Sequence, residues 1–198
     1  MPLHTEILRT ARLDLIPLRV EHAEEMAAVL ADPELYTFTG GVPATPDALR
    51  SRYARLVAGS PDPAVLWCNW VLRLRGAAAD DGGGLLVGTV QATVTVPTAE
   101  VAWVVGTRRQ GRGFAREAAR ELVRRLGEEP GVRTVVAHVH PDHRASAAVA
   151  AAAGLSPTGT LHEGEVRWRR SVRPQDVPAA RPAMPDHRPG HPAPDHRI

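Results

Sequence analysis

Between Arg108 and Glu117 the chain reads Arg-Arg-Gln-Gly-Arg-Gly-Phe-Ala-Arg-Glu, which puts three guanidinium groups and two glycines on one turn. That combination is chemistry for holding an anion. Gly111 and Gly113 let the backbone bend without a side-chain clash, so successive N–H groups can point at one centre. The positive end of a following helix dipole adds to Arg108, Arg109 and Arg112. A second set of reactive types lies downstream, where His138 and His140 share one face of a strand by period-two alternation. Either imidazole could accept a proton at neutral pH, and either could equally be a packed or rim histidine.

The turn is set by its neighbours. Before it, Glu100-Val101-Ala102-Trp103-Val104-Val105 is an apolar strand. After it, Ala115, Ala118, Ala119, Leu122, Val123 and Leu126 recur at the spacing of one buried helix face. Two phosphate loops of this general shape are excluded by residue type. A nucleotide-hydrolase P-loop requires a Lys, and all 24 basic residues of the chain are Arg. A dinucleotide fingerprint requires a third small residue where Arg116 stands, and an acidic residue ending the next strand, which here closes on His140-Pro141.

The remaining pattern, Arg108-x-x-Gly111-x-Gly113 followed by Phe114-Ala115-x-Glu117-Ala118, resembles the pyrophosphate loop of the GNAT superfamily of acyl-CoA-dependent N-acyltransferases. The resemblance covers roughly residues 9 to 170. Leu13-Asp14-Leu15-Ile16-Pro17-Leu18 with Glu21-His22-Ala23-Glu24 is similar to the first strand and helix of the branch that acetylates ribosomal-protein N-termini. Pro33-Glu34-Leu35-Tyr36, Trp67-Cys68-Asn69-Trp70-Val71 and Gly88-Thr89-Val90-Gln91 extend the match. Pro141-Asp142-His143-Arg144-Ala145-Ser146 and Gly154-Leu155 fall where the family carries Asn-x-x-Ser and Gly-Phe, with His143 and Leu155 as departures.

The resemblance implies an α/β layered fold, with a mixed, mostly antiparallel, splayed seven-stranded sheet flanked by helices. It also implies a ligand, acetyl-CoA as cosubstrate, with no metal. The coenzyme's pantetheine arm would lie beside Trp103, Val104 and Val105. Its pyrophosphate would rest on Arg108, Arg109, Gln110, Gly111, Arg112, Gly113, Phe114 and Ala115, with His143 on the coenzyme side of the next helix. Glu100 is then the expected base or a solvated strand-end carboxylate, with His140 as the other base candidate. Because the only tyrosines, Tyr36 and Tyr53, precede the site, Ser146 or ordered water would give the proton to the departing thiolate, or the thiolate would leave with little help. The implied activity is transfer of an acetyl group to a primary amine, a peptide N-terminus or a small molecule, by direct attack in a ternary complex. The alternative is a catalytically quiet acyl-CoA-binding sensor or partner module. The acceptor mouth would form from Thr37-Phe38-Thr39-Gly40-Gly41 and the Leu161 to Glu165 hairpin. Glu21, Glu24, Glu25, Glu163 and Glu165 would make that mouth acidic, or are ordinary surface charge.

Composition bounds the rest. With 198 residues and 43% hydrophobic content the chain can build one core. Net charge is only +2, and the local excess is confined to Arg108 through Arg125, where seven Arg face Glu117 and Glu121. A spot of charge suits one small ligand, so neither nucleic acid nor membrane is an expected partner. The single Cys68 lies in an apolar run and reads as buried and inert, compatible with a cytoplasmic monomer or homodimer.

The domain is expected over 1–170. From 171 to 198 the chain holds seven of the eighteen prolines and the repeat Pro185-Asp186-His187-Arg188, Pro194-Asp195-His196-Arg197. Such a segment cannot bury enough surface to fold, and its histidines lack closed metal geometry. Within the domain, strands are expected at Leu13–Leu18, Val65–Leu74, Leu85–Val96, Glu100–Val105, Arg133–His140, Leu155–Thr160 and Glu165–Arg170. Helices are expected at Glu21–Leu30, Pro46–Val57, Ala115–Leu126 and Ala145–Ala153, with a hairpin loop over Gly76–Gly84.

Overall fold

Alternating apolar residues build a sheet with two dressed faces. The structure, a computed structural model, describes residues 6–76 and 85–172. Its strands are β1 Leu8–Arg9, β2 Leu13–Pro17, β3 Leu66–Leu74, β4 Leu86–Thr95, β5 Thr98–Val105, β6 Thr134–Val139, β7 Ser156–His162 and β8 Glu165–Ser171. The helices are α1 Ala23–Val29, α2 Pro46–Ala58, α3 Phe114–Gly127 and α4 Arg144–Ala152. One sheet holds all eight strands in the order β1-β2-β3-β4-β5-β6-β8-β7. The strand beyond the seven expected, β1, is two residues long, too short to show a period.

Two other boundaries moved for physical reasons. β4 and β5 form one tight hairpin with Thr95 opposite Thr98, so β5 starts two residues before Glu100; Val96-Pro97 is its turn. At the other end, Ser171 still pairs with Thr134, and the buried Val172 donates its amide to the Arg133 carbonyl at 2.9 Å. The sheet therefore passes the expected limit at 170 by one residue, with Val172 bonded just beyond it. The rest of the Pro/Arg/His-rich segment, and residues 77–84 of the hairpin loop, lie outside the described residues.

The larger core lies between the sheet and the α3/α4 layer. β5 gives it Ala99, Val101 and Val105, β6 gives Val135, Ala137 and Val139, and α3 gives Phe114, Ala118, Ala119, Leu122, Val123 and Leu126. A smaller core joins α1 and α2 to the opposite face through Met26, Leu49, Tyr53 and Val71. By alternation, Glu100 and His138 must stand on that second face. Cys68 is fully buried, and burial pushes its thiol up to about 12, which leaves it unreactive.

One joint positions the site. All neighbouring strands are antiparallel except β5 and β6, which run parallel and share only three rungs: Thr98 with Thr134, Ala99 with Val135, Glu100 with Val136. On their outer sides both strands stay fully paired, β5 with β4 through Val105 and β6 with β8 through Val139. The inner edges thus part after Glu100 and leave a wedge whose walls are unpaired backbone.

Candidate active site

The arginine and glycine turn sits at the open end of the wedge. Gly111 and Gly113 both take the left-handed backbone, φ +74° and +83°. Gly113 is the residue capping α3, and having no side chain it leaves the first amides of the helix without a cap bond. Arg108, Arg109 and Arg112 form no ion pair among the described residues, and Gln110 folds back to donate from Nε2 to the Val105 carbonyl at 3.0 Å. Phe114 is buried at the helix start and Ala115 packs beside it against the core. Three unpaired cations around uncapped amides make an electropositive cradle.

The cradle is braced from the turn between β1 and β2, about a hundred residues earlier. Arg12 donates from Nη1 to the Arg112 carbonyl at 2.9 Å, stacks 4.7 Å above the Phe114 ring, and pairs with Glu117 at 2.7 Å. Glu117 also accepts from the Thr10 hydroxyl at 2.6 Å and the Arg12 amide at 2.7 Å. Burial pushes the Glu117 carboxyl up, but these donors together outweigh it and hold the group below its ordinary value. On the β5 side, Thr107 donates to Asp32 at 2.7 Å. That bond, with the Glu34 amide, pulls the Asp32 carboxyl down.

Along the wedge, β5 divides its backbone between two directions. The Gly106 amide bonds to the Val87 carbonyl at 2.9 Å, and a Cβ on Gly88 would stand 2.1 Å from the Val104 carbonyl oxygen. Val104 therefore turns toward β4, and alternation turns the backbone of Trp103 and Val105 toward the gap. The Trp103 indole crosses it, donating from Nε1 to Ser146 Oγ on α4 at 3.1 Å. A hydroxyl that accepts there keeps its own proton to donate elsewhere.

Glu100 and the histidines separate into two groups. Glu100 Oε1 meets His138 Nδ1 at 3.2 Å at the closed end of the wedge, and the His138 ring lies 5.0 Å from that of His162. His140 stands past the end of β6, where its Nδ1 accepts the Asp142 amide at 3.2 Å. Its ring and that of His143 pack on Phe38, the latter stacked at 4.4 Å and 17°. Burial first, and then the neighbouring His140, lower the His143 pKa. Of the three candidate bases, Glu100 and His138 are brought together and His140 stands apart.

Of the expected acidic mouth, Glu25 caps the Leu86 amide at 2.6 Å and Glu24 pairs with Arg50, so both serve the α1/α2 layer. Arg12 and Thr10 went unread in the sequence, and Phe38 and His162, which lie in the segments expected at the acceptor mouth, were not read as partners of the histidines. Each acts through a partner far along the chain, and none lies in a local motif. Of the helices in the described residues, none is long and apolar enough to cross a membrane.

The same architecture occurs in known proteins. A family model described as an acetyltransferase (GNAT) domain matches residues 12–156. A curated relative, FsC-acetyl coenzyme A-N(2)-transacetylase of Aspergillus fumigatus, is 31% identical over 191 residues, covering 81% of this chain and 74% of that protein. Among solved structures, RimL, a ribosomal alpha-N-protein acetyltransferase in complex with coenzyme A, superposes with a TM-score of 0.67 at 14% identity, over 84% of this chain and 98% of its own. RimJ of Mycobacterium smegmatis, in complex with a CoA disulfide, gives 0.65 at 19% identity, over 80% and 81%. The chain belongs to the GNAT family of acetyltransferases.

Proposed function

We propose that the chain moves an acetyl group from acetyl-CoA to a primary amine by direct attack within a ternary complex. The observation that carries this is the three-rung joint between β5 and β6, opening onto a glycine turn whose three arginines form no ion pair among the described residues. The Trp103 backbone and the Val105 amide, which face the gap, suit an amide-bearing pantetheine arm, which would bond to them as an added strand does, while Gln110 occupies the Val105 carbonyl. The arginine turn and the first amides of α3 suit the diphosphate.

The amine is an α-amine on energetic grounds. Neutralising an α-amine of pKa about 7.8 at pH 7 costs roughly 1 kcal/mol, against about 4.6 kcal/mol for a lysine amine of pKa about 10.4. The curated relative is named for transfer at N(2), which agrees with this choice. Ser146, its hydroxyl oriented by Trp103, is the proton donor to the leaving thiolate.

One observation favours the quieter reading, a coenzyme-binding module without turnover. No tyrosine reaches the wedge, since Tyr53 is buried in the α1/α2 core and Tyr36 donates to the Leu30 carbonyl. Mass-spectrometric screening of peptides, amino acids and aminoglycosides for acetyl-CoA-dependent mass gain separates the two. A gain of one acetyl group on an α-amine, absent in Gly111→Glu, supports transfer; tight acetyl-CoA binding with no gain on any amine supports the module.

A further inference from the structure

The closed end of the wedge holds a carboxylate and an imidazole in an order that has chemical consequences. Glu100 sits on the last shared rung and His138 two residues beyond it on the other strand, so their contact bridges the point where β5 and β6 part. A carboxylate accepts hydrogen bonds and cannot donate them, so in the neutral imidazole the 3.2 Å contact places the proton on His138 Nδ1 and the lone pair on Nε2. Among the described residues nothing bonds to Nε2. The imidazole side chain is only 15% exposed while Glu100 is 55% exposed, so the ring is held and the carboxylate remains hydrated. His162 on β7, opposite Glu165, packs on the ring at 5.0 Å, and Arg167 stands opposite His138 on β8.

Position argues the same way. From Val105, beside the anion cradle, to Glu100 is five residues, about 16–17 Å of strand. That is the scale of an extended pantetheine arm, so a thioester carried down the wedge ends at this pair. Both side chains lie on the α1/α2 face, away from the α3 core, and His140 lies at the opposite, open end.

We infer that His138 is the base that takes the proton from the attacking amine through Nε2, and that Glu100 is a positioning residue that holds its ring. This rests on the acetyl-transfer reading. The amine nitrogen forms a bond to the thioester carbonyl carbon while one N–H proton passes to Nε2. The C–S bond then breaks, the thiolate takes a proton from Ser146, which regains one from solvent, and the imidazolium returns its proton to solvent. The products are an amide and free CoA thiol.

The test is a mutant cycle on the full chain, with the panel amine that wild type acetylates fastest and acetyl-CoA affinity measured alongside. His138→Gln is expected to lower kcat about a hundredfold with unchanged acetyl-CoA affinity, the scale of losing a general base. Glu100→Ala should cost about tenfold. Glu100→Gln, which keeps an accepting oxygen for Nδ1, should return to within about threefold of wild type. The double variant His138→Gln/Glu100→Ala should be no slower than His138→Gln alone, because the two groups act as a unit. Nitrogen-15 NMR of the wild-type ring should show the proton on Nδ1, and loss of that signature in Glu100→Ala separates positioning from a merely structural role. His138→Gln within threefold of wild type, or Glu100→Gln as slow as Glu100→Ala, overturns the assignment and leaves the transfer reading intact. Wild type that binds acetyl-CoA but acetylates nothing in the panel overturns the transfer reading itself.

Discussion

Glu117 shows how one carboxylate ties the anion cradle to the rest of the molecule. It collects Thr10, the Arg12 amide and the Arg12 guanidinium, and Arg12 in turn holds the Arg112 carbonyl. A carboxyl depressed in the folded state binds its proton more weakly there than in the unfolded chain. Its contribution is therefore complete above about pH 4.3 and is lost as pH falls through the folded value. Glu117→Gln should lower unfolding free energy by about 2 kcal/mol at pH 7, the scale of hydrogen bonds to a charged group. In urea titrations that difference should shrink steadily below about pH 4; a difference that persists in acid would contradict the network. The arginines and glycines of the turn were legible in the sequence because their chemistry is contiguous. Arg12 was not, since nothing local links residue 12 to residue 117, and the packing of His162 on His138 was missed for the same reason.

Among the elements, the hairpin of β4 and β5 fixes the wall of the wedge. Gly88 is where the strands approach most closely, since any Cβ there would collide with the Val104 carbonyl oxygen at 2.1 Å. Both atoms belong to backbone, so no side-chain rotation relieves the contact. Gly88→Ala should destabilise the fold by about 3 kcal/mol, as overpacked sites do, read as a lower urea midpoint. Stability equal to wild type would mean that β5 can shift, and the wedge wall would not be fixed. Gly111 differs, because a Cβ there meets nothing within 4 Å and only the left-handed backbone resists it. Periodicity located α3 closely, its buried face differing in that Phe114 takes the place expected of Ala115 and in that Gly127 is buried as well. The β4–β5 turn misled it, because Pro97 reads as a break when it closes a hairpin. The three-rung joint left no trace in periodicity, since a strand paired on one side carries the same apolar alternation as one paired on both; resemblance alone pointed to it.

For the whole molecule, the charge pattern and the wedge together determine how ligand and stability are coupled. With net charge +2 over the whole chain and the cations concentrated at Arg108 to Arg125, acetyl-CoA affinity should fall as ionic strength rises through screening of the exposed arginines. A ligand bound only by the folded state at a hundred times its Kd adds about 2.7 kcal/mol. Acetyl-CoA should therefore raise the melting temperature of wild type, more at low salt than at high. A salt-independent shift would remove the arginines from the account.

Titration calorimetry of acetyl-CoA into wild type and Gly111→Glu tests the central claim, that the arginine and glycine turn at the mouth of the wedge holds the coenzyme's diphosphate. Wild type should bind one equivalent with micromolar affinity, and the variant, folded by circular dichroism, should bind at least about a hundredfold more weakly, a difference of about 2.7 kcal/mol. No heat from wild type up to millimolar acetyl-CoA, or equal affinity in the two proteins, would contradict it.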